Sequence, residues 1–290
     1  MTAARIAAAP ISWGICEVPG WGYQLSRDRV LGEMRDLGVV ATEFGPDGFL
    51  PEAPAACSEL LAPFGLSALG GFVTLVLHDP ALDPLPEARR ALDRLVGAGA
   101  GVMVVAAVSG REGYDQALEL DGAGWATLLA NLGSVSELAA AAGVTMALHP
   151  HVGTLVEGPD AVRRVLEGSS AALCLDTGHL LIGGTDPLAL ATEVPRRIVH
   201  VHLKDVDAPL AARVRDGSTS YTAAVAAGMY KPLGRGDAGI AGILAALEGA
   251  GYGGYYVMEQ DTILETEPPV GSGPVGDVRA SLEFLRAALP

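Results

Sequence analysis

Five of the six histidines in this sequence fall in three short polar runs. They are the pair His149 and His151, the single His179, and the pair His200 and His202. Imidazole binds metal ions and carries protons near neutral pH, so such runs indicate metal binding or acid–base chemistry. Each histidine taken alone could simply end its element in solvent, but the combined set favours a functional site.

Carboxylates occupy equivalent places, because Glu43, Asp176 and Glu259 also close apolar stretches. Carboxylate and imidazole side chains together suit a divalent metal ion of the Mn, Co, Zn or Mg type. Carboxylates favour hard ions and imidazole favours the transition series, so Mn or Co is the preferred expectation.

Lysine is rare in this chain, which has only Lys204 and Lys231. In a β-strand, Lys204 would share one face with His200 and His202, because alternate side chains point to the same side. An ammonium group can lose its proton when it is desolvated, whereas a guanidinium cannot. Lys204 is therefore a candidate catalytic base, whereas chance explains the position of Lys231 equally well.

The apolar stretches that lead into these residues have the character of strands in a parallel sheet. Several are continuously apolar, as expected when helices cover both faces of a sheet. The predicted strands span residues 5–13, 39–45, 66–75, 102–108, 144–151, 172–179, 198–205 and 255–260. Helical periodicity predicts helices over residues 27–37, 51–63, 88–98, 125–142, 160–167, 187–193, 240–250 and 278–289.

This regular alternation predicts an α/β fold with a single (β/α)₈ TIM barrel over residues 1–290. A doubly wound open sheet is less favoured, because no GxGxxG motif follows the first strand. In a barrel, the active site lies at the carboxyl ends of the strands, so the polar runs should converge on one mouth. The longest connection, residues 206–239, is a candidate lid over that mouth.

Composition narrows the range of partners and compartments. The formal net charge of −15 disfavours binding to nucleic acid and to anionic membrane surfaces. No stretch of about 20 apolar residues is present, so a soluble cytoplasmic protein is expected. The three cysteines are widely and irregularly spaced, which predicts neither a disulfide framework nor a CxxC zinc site.

The polar runs and the segments beside them resemble the xylose isomerase-like superfamily of TIM barrels, and within it the inosose dehydratase (2-keto-myo-inositol dehydratase) family. The similarity extends in order over nearly the whole chain. The matching segments are residues 42–46, 48–51, 149–154, 156–157, 174–179, 183–187, 200–206, 232–234 and 259–261.

The resemblance implies a metal site. The superfamily holds its ion with Glu, Asp, His and Glu from strands five to eight, and Asp176, His202 and Glu259 match the last three. His149 stands at the position of the fifth-strand Glu. Replacing a carboxylate by imidazole makes the site one unit more positive, which should strengthen its attraction for a ketone and its enolate.

The resemblance also implies loss of water from a cyclic polyhydroxy ketone such as 2-keto-myo-inositol, a small-molecule substrate. Lys204 or His179 is the expected base that removes the proton α to the carbonyl. His151 or Glu157 is the expected acid for the leaving hydroxyl, and Glu43 is expected to hold a substrate hydroxyl. Related barrels commonly pair, so a homodimer is compatible with the resemblance.

Other functions fit the same residues. A sugar isomerase or epimerase would use the metal to stabilise an enediolate without expelling water. An elimination enzyme acting on 3-keto-glycosides would share the α-proton step, and a metal-bound sugar sensor would lack turnover. An endonuclease is the least favoured, because the chain is strongly acidic.

Overall fold

The structure is a computed structural model that describes residues 5–111 and 118–289. The strands are β1 (Ile6–Ala8), β2 (Ala41–Thr42), β3 (Ser67–Ala68), β4 (Gly70–Leu75), β5 (Val102–Ala107), β6 (Thr145–Leu148), β7 (Ala172–Asp176), β8 (Ile198–Leu203), β9 (Asp205–Val206), β10 (Tyr230–Lys231) and β11 (Tyr256–Met258). The α-helices are α1 (Arg27–Leu37), α2 (Pro54–Leu61), α3 (Leu85–Gly97), α4 (Gly122–Ala141), α5 (Pro159–Gly168), α6 (Thr177–Gly183), α7 (Pro187–Glu193), α8 (Ala208–Arg215), α9 (Tyr221–Ala226), α10 (Ile240–Gly249) and α11 (Pro274–Ala288).

The main sheet is parallel and closes into a barrel. Its strand order is β3-β2-β1-β11-β8-β7-β6-β5-β4. β3 and β4 are two parts of one strand, interrupted only at Leu69. The Leu69 N–H donates to the carbonyl of Thr42 (2.9 Å), and its own carbonyl accepts from the N–H of Gly101 (3.0 Å). Both neighbours are therefore bonded across the interruption, which confirms the predicted (β/α)₈ barrel.

Inward-facing positions in the lower part of the barrel, away from the carboxyl ends of the strands, carry small side chains. Ala7, Ala41 and Val257 form one buried cluster inside the sheet, and Val104 and Cys174 belong to another. The alternate residues of the same strands join the larger core between sheet and helices. Small inward residues leave space above them, and this is where the polar side chains lie.

Several strands end earlier than predicted. The first ends at Ala8, and residues Pro10–Trp13 form a 3₁₀ turn. The strand predicted over residues 144–151, which is β6, ends at Leu148, so both His149 and His151 follow it. The strand predicted over residues 172–179, which is β7, ends at Asp176. The carboxylate of Asp176 accepts hydrogen bonds from the N–H groups of Gly178 and His179 and caps α6. An aspartate cap favours helix over continued strand, so His179 lies on a helix.

The segment over residues 206–239 folds into α8, α9 and an antiparallel pair of β9 with β10. One buried carboxylate anchors it: Asp205 accepts hydrogen bonds from the N–H groups of Gly234, Gly236 and Ala238 at 2.8 to 3.0 Å. A Cβ at Gly236 would lie 2.5 Å from this carboxylate, so only glycine fits there. Movement of the segment as a lid stays a prediction.

None of the helices in the described residues is both long enough and apolar enough to cross a membrane.

Candidate active site and metal centre

The polar residues predicted from sequence, except Glu157, converge at the carboxyl mouth of the barrel. Those on a strand or just after one alternate with inward-facing positions, as His149 does with Ala147 and Asp176 with Cys174, whereas His179 lies on α6. A cavity of about 230 Å³ opens there, and His149 and Lys204 are among the residues that line it. The alternation of side chains along parallel strands therefore accounts for the convergence.

Asp176, His202 and Glu259 form a compact group of metal-ligand type. Each offers one ligand atom, and these atoms lie within 4.8 Å of one another. Nδ1 of His202 lies 3.0 Å from Oε2 of Glu259 and 3.6 Å from Oδ2 of Asp176. This nitrogen is buried and makes no hydrogen bond within the described part of the chain. Two carboxylates around an orphaned imidazole nitrogen fit a divalent cation.

His149 approaches the same group from one side. Its Nε2 lies 3.3 Å from Oδ2 of Asp176, and it joins ligand-like groups with Asp176 and His179 or with Cys174 and His202. Among the described residues, no such group contains both His149 and Glu259. Its place as fourth ligand stays a prediction.

Glu43 orients two histidines of β8. Its Oε1 lies 2.7 Å from Nε2 of His200 and 3.1 Å from Nε2 of His202. Since Nε2 of His202 is directed at this carboxylate, Nδ1 is presented to Asp176 and Glu259. Burial would raise the pKa of Glu43, but the charges of His202 and His200 outweigh burial and lower it. Glu43 also lines the cavity. Since Oε1 contacts the two histidines, Oε2 is the atom that would make the predicted hydrogen bond to a substrate hydroxyl.

Lys204 is buried among carboxylates. Its Nζ lies 2.5 Å from Oδ1 of Asp261, 2.7 Å from Oε2 of Glu259 and 3.9 Å from Oδ2 of Asp176. Burial alone would lower the pKa of the ammonium, but these three carboxylates raise it well above its ordinary value. The direction is opposite to the one expected from desolvation alone, so Lys204 carries a positive charge among these carboxylates.

His151 and His179 pack together, with ring centres 3.7 Å apart. Nδ1 of His151 lies 2.7 Å from the carbonyl oxygen of Val152, which fixes the proton on Nδ1 and makes Nε2 the accepting atom. Burial, with the charge of His149, lowers the pKa of His151 to about 3. Burial and the charge of His151 also lower the pKa of His179. Both rings are therefore neutral near pH 7, and His151 lines the cavity.

Glu157 is placed apart from this group. Its Oε2 accepts a hydrogen bond from the N–H of Gly153 (3.0 Å) in the loop after β6. Burial raises the pKa of its carboxyl group. Glu157 does not belong to the residues that line the cavity, so the structure does not bring this predicted acid to the site.

Three further side chains enter the site without having been predicted. Asp261, after β11, contacts Lys204, and Tyr221 and Tyr230 come from the segment after β8. Asp261 follows Glu259 by two residues, so strand alternation could have indicated it. The two tyrosines carry no comparable sequence signal, because long-range packing alone brings Tyr221 to the cavity and Tyr230 against Tyr221 and Lys204.

Comparison with known proteins adds to this geometry. The xylose isomerase-like TIM barrel family matches residues 32–288. The rhizopine catabolism protein MocC of Rhizobium meliloti is 33% identical over 89% of this chain and 81% of its own length. An inosose dehydratase of Geobacillus kaustophilus is 30% identical over 89% of this chain and 87% of its own length.

A solved structure of the IolI protein with a bound zinc atom has the same fold. It superposes with a TM-score of 0.69 at 12% identity, covering 98% of this chain and 97% of its own. Together, the family match, the identities and the closed parallel barrel confirm the resemblance seen in the sequence: the chain belongs to the xylose isomerase-like TIM barrel family and is an enzyme.

Proposed function

We propose that this enzyme is a metal-dependent dehydratase that removes water from a cyclic polyhydroxy ketone such as 2-keto-myo-inositol. The observation that carries the proposal is one cavity lined by the cationic Lys204, the neutral His151 and the ligand-type carboxylate Glu259. An elimination needs one group to accept a proton and another to donate one. The inosose dehydratase name of a 30% identical relative supports the substrate class.

The metal in this proposal is divalent, with Mn or Co preferred because the donor set mixes carboxylates with imidazole. Asp176, His202 and Glu259 would hold it, with His149 beside them. When bound, such an ion supplies Lewis-acid polarisation of the ketone.

The protein groups then divide the proton transfers. Nε2 of His151 accepts the proton from the carbon α to the ketone, since Nδ1 already carries one directed at Val152. The Lys204 ammonium donates a proton to the departing β-hydroxyl, which leaves as water while a carbon–carbon double bond forms. The opposite assignment, with Lys204 as base and His151 as acid, requires protonation states that their surroundings disfavour. His179, packed on His151, stays as the second candidate base.

The size and lining of the cavity suit a small polyol. Its volume of about 230 Å³ lies below the roughly 300–1,000 Å³ of sites for drug-sized ligands. Pro10, Ile11 and Phe72 add apolar surface to a lining that also contains charged groups. A ring that has hydrogens on its faces and hydroxyls on its edge matches this mixed lining. Tyr221 of the segment after β8 completes the lining, in keeping with a lid.

A turnover assay tests the proposal. Chelator-treated protein, reloaded with Mn²⁺ or Co²⁺, is incubated with 2-keto-myo-inositol, and the ultraviolet absorbance of an enone or diketone product is followed. Absorbance that grows with enzyme concentration is the expected result. A new ketose formed without water loss would show an isomerase or epimerase instead, and leaving-group release from a 3-keto-glycoside alone would show a glycoside elimination. Binding of these ketones without any product would indicate a sensor.

A further inference from the structure

A chain of buried polar groups connects Lys204 to the segment after β8. Asp261 accepts a hydrogen bond from Nζ of Lys204 at Oδ1 and one from the hydroxyl of Tyr221 at Oδ2, each 2.5 Å long. The hydroxyl of Tyr221 lies 2.8 Å from that of Tyr230. All four side chains are buried. The ammonium that faces the cavity is thus joined, through one carboxylate, to α9 and β10.

The aromatic rings in this chain are held firmly by their neighbours. The ring of Tyr221 lies 5.8 Å from that of His179, nearly parallel to it, and 6.4 Å from the ring of Trp21. Nζ of Lys204 lies 5.6 Å from the centre of the Tyr230 ring. Because packing fixes the Tyr221 ring, its hydroxyl has a defined direction and orients the Asp261 carboxylate.

The geometry limits what the lysine side chain can do. Lysine has a flexible four-carbon stem and three donor protons. Two of these protons are directed at Glu259 and Asp261, and a substrate oxygen can take the third. Glu259 belongs to the proposed metal ligands, so Asp261 is the contact that holds the ammonium independently of them. Displacement of a reacting group by about 1 Å can cost on the order of 100-fold in rate.

We propose that Asp261 and Tyr221 are positioning residues for Lys204. Tyr221 orients the Asp261 carboxylate, and this carboxylate holds the ammonium over the cavity. The position of the proton donor therefore depends on the folding of the segment after β8. The proposal rests on the dehydratase function, in which Lys204 is the donor.

Kinetic constants provide the first test. Tyr221→Phe removes one hydroxyl and keeps the packed ring, so kcat should fall about tenfold while KM changes less than about twofold. Asp261→Asn should lower kcat by about 100-fold, and the double variant should fall no further than Asp261→Asn alone, because both act through one path. The control is Tyr23→Phe, which removes an exposed hydroxyl that donates to Glu267 at 2.7 Å. This control should keep wild-type constants.

The two lysines of the chain permit a second test that needs no substrate. Protein labelled with ¹⁵N only in lysine should give two Nζ signals, assigned by Lys231→Arg. The Lys204 signal should exchange slowly with water, because its ammonium is buried and bonded. It should move in Tyr221→Phe while the Lys231 signal stays, and both should stay in Tyr23→Phe.

The outcomes are decisive. A Lys204 signal at its wild-type position in Tyr221→Phe, a rapidly exchanging Lys204 signal in the wild type, or an unchanged kcat in Tyr221→Phe would each overturn the proposal. Should Asp261→Asn fail to fold, Tyr221→Phe still decides. If the wild type eliminates water from no ketone, the proposed function fails, and the lysine signals alone settle whether Tyr221 and Asp261 position the ammonium.

Discussion

The two sides of the cavity have similar small residues in the lower part of the barrel but different side chains at the mouth. Low in the barrel, inward positions on both sides carry small residues such as Ala7 and Cys174. At the mouth, one side is charged and is lined by residues after β6, β8 and β11, namely His149, His151, Lys204, Glu259 and Asp261. Asp176 and His202 contact His149 and Glu259 of this side. The other side is formed by residues after β1 and β2 and on β4, where the apolar Pro10, Ile11 and Phe72 lie together with polar residues such as Asp47 and Thr74.

This difference indicates that one side of the barrel can carry the catalytic groups while the other contributes to substrate binding. Charged and hydrogen-bonding groups act on bonds that change during the reaction, so they should govern kcat. Apolar contacts bind ground state and transition state about equally, so they should govern KM. Glu43, after β2, belongs by contact with His200 and His202 to the charged side.

The largest effect is expected where the charged side would hold its metal. Asp176 and Asp186 cap α6 and α7 in the same way, each accepting from two backbone N–H groups. Asparagine also caps helices well, so Asp176→Asn should stay folded but lose divalent-ion affinity by 100-fold or more, and activity with it. Affinity is measured by competition with a chelating dye. Asp186→Asn is the matched control, and wild-type affinity in Asp176→Asn would contradict the assignment.

The second effect tests the proton donor. Lys204→Met keeps an unbranched side chain one heavy atom shorter and removes the charge, so kcat should fall by about 100- to 1,000-fold. Lys231→Met is the matched control, since the ion pair of Lys231 with Asp207, at 3.7 Å, is partly exposed and Lys231 does not line the cavity. Steady-state rates and thermal melts are measured for both. Near-wild-type turnover in Lys204→Met would remove Lys204 from the mechanism.

The third effect belongs to the side that contains Phe72. Phe72 lines the cavity, and its ring lies 5.6 to 5.7 Å from those of His149 and His151. Phe72→Leu keeps an apolar group and loses ring contact, so KM should rise about five- to tenfold while kcat stays within about threefold. Steady-state kinetics over a range of substrate concentrations measure both constants. A loss confined to kcat would break the division between the two sides.

The smallest effect lies outside the cavity. Burial raises the pKa of Glu157 in the folded state. Below the unfolded-state pKa the carboxyl group is neutral in both states, so its burial as a charged group does not lower the free energy of unfolding. Stability should then decline as pH rises through the folded-state pKa. Glu157→Gln should remove this part of the pH dependence, as measured by urea unfolding of both proteins between pH 4 and 7. Parallel curves for the two proteins would show that Glu157 does not titrate in this way.

The fold was predictable because its signals are local. Apolar runs of strand length alternate with amphipathic helices, and this pattern requires no knowledge of distant contacts. The same holds for the shared face of His200, His202 and Lys204, which follows from strand periodicity. Both histidines contact Glu43, and His202 and Lys204 both approach Oε2 of Glu259. The confirmed features therefore depend on residues close together in the chain.

The remainder depends on residues far apart in sequence. Asp261, 57 residues away, is the first of the carboxylates that raise the pKa of Lys204, whereas desolvation alone would lower it. Tyr221 and Tyr230 reach the site through the packing of the segment after β8, which no short motif indicates. The predicted extension of the sixth strand to residue 179 was wrong, because the cap formed by Asp176 starts a helix at Thr177.

Asp176 is both the last residue of β7 and the cap of α6, since the helix begins at the next residue. Its Oδ1 binds the backbone of the helix, while Oδ2 faces His149 and His202. No spare residue separates the two elements, so a single inserted residue would turn the carboxylate away from the histidines. The connection between β8 and α10 already accommodates two helices and a hairpin. Members of the family should therefore vary in length at that connection and keep a constant length at this junction.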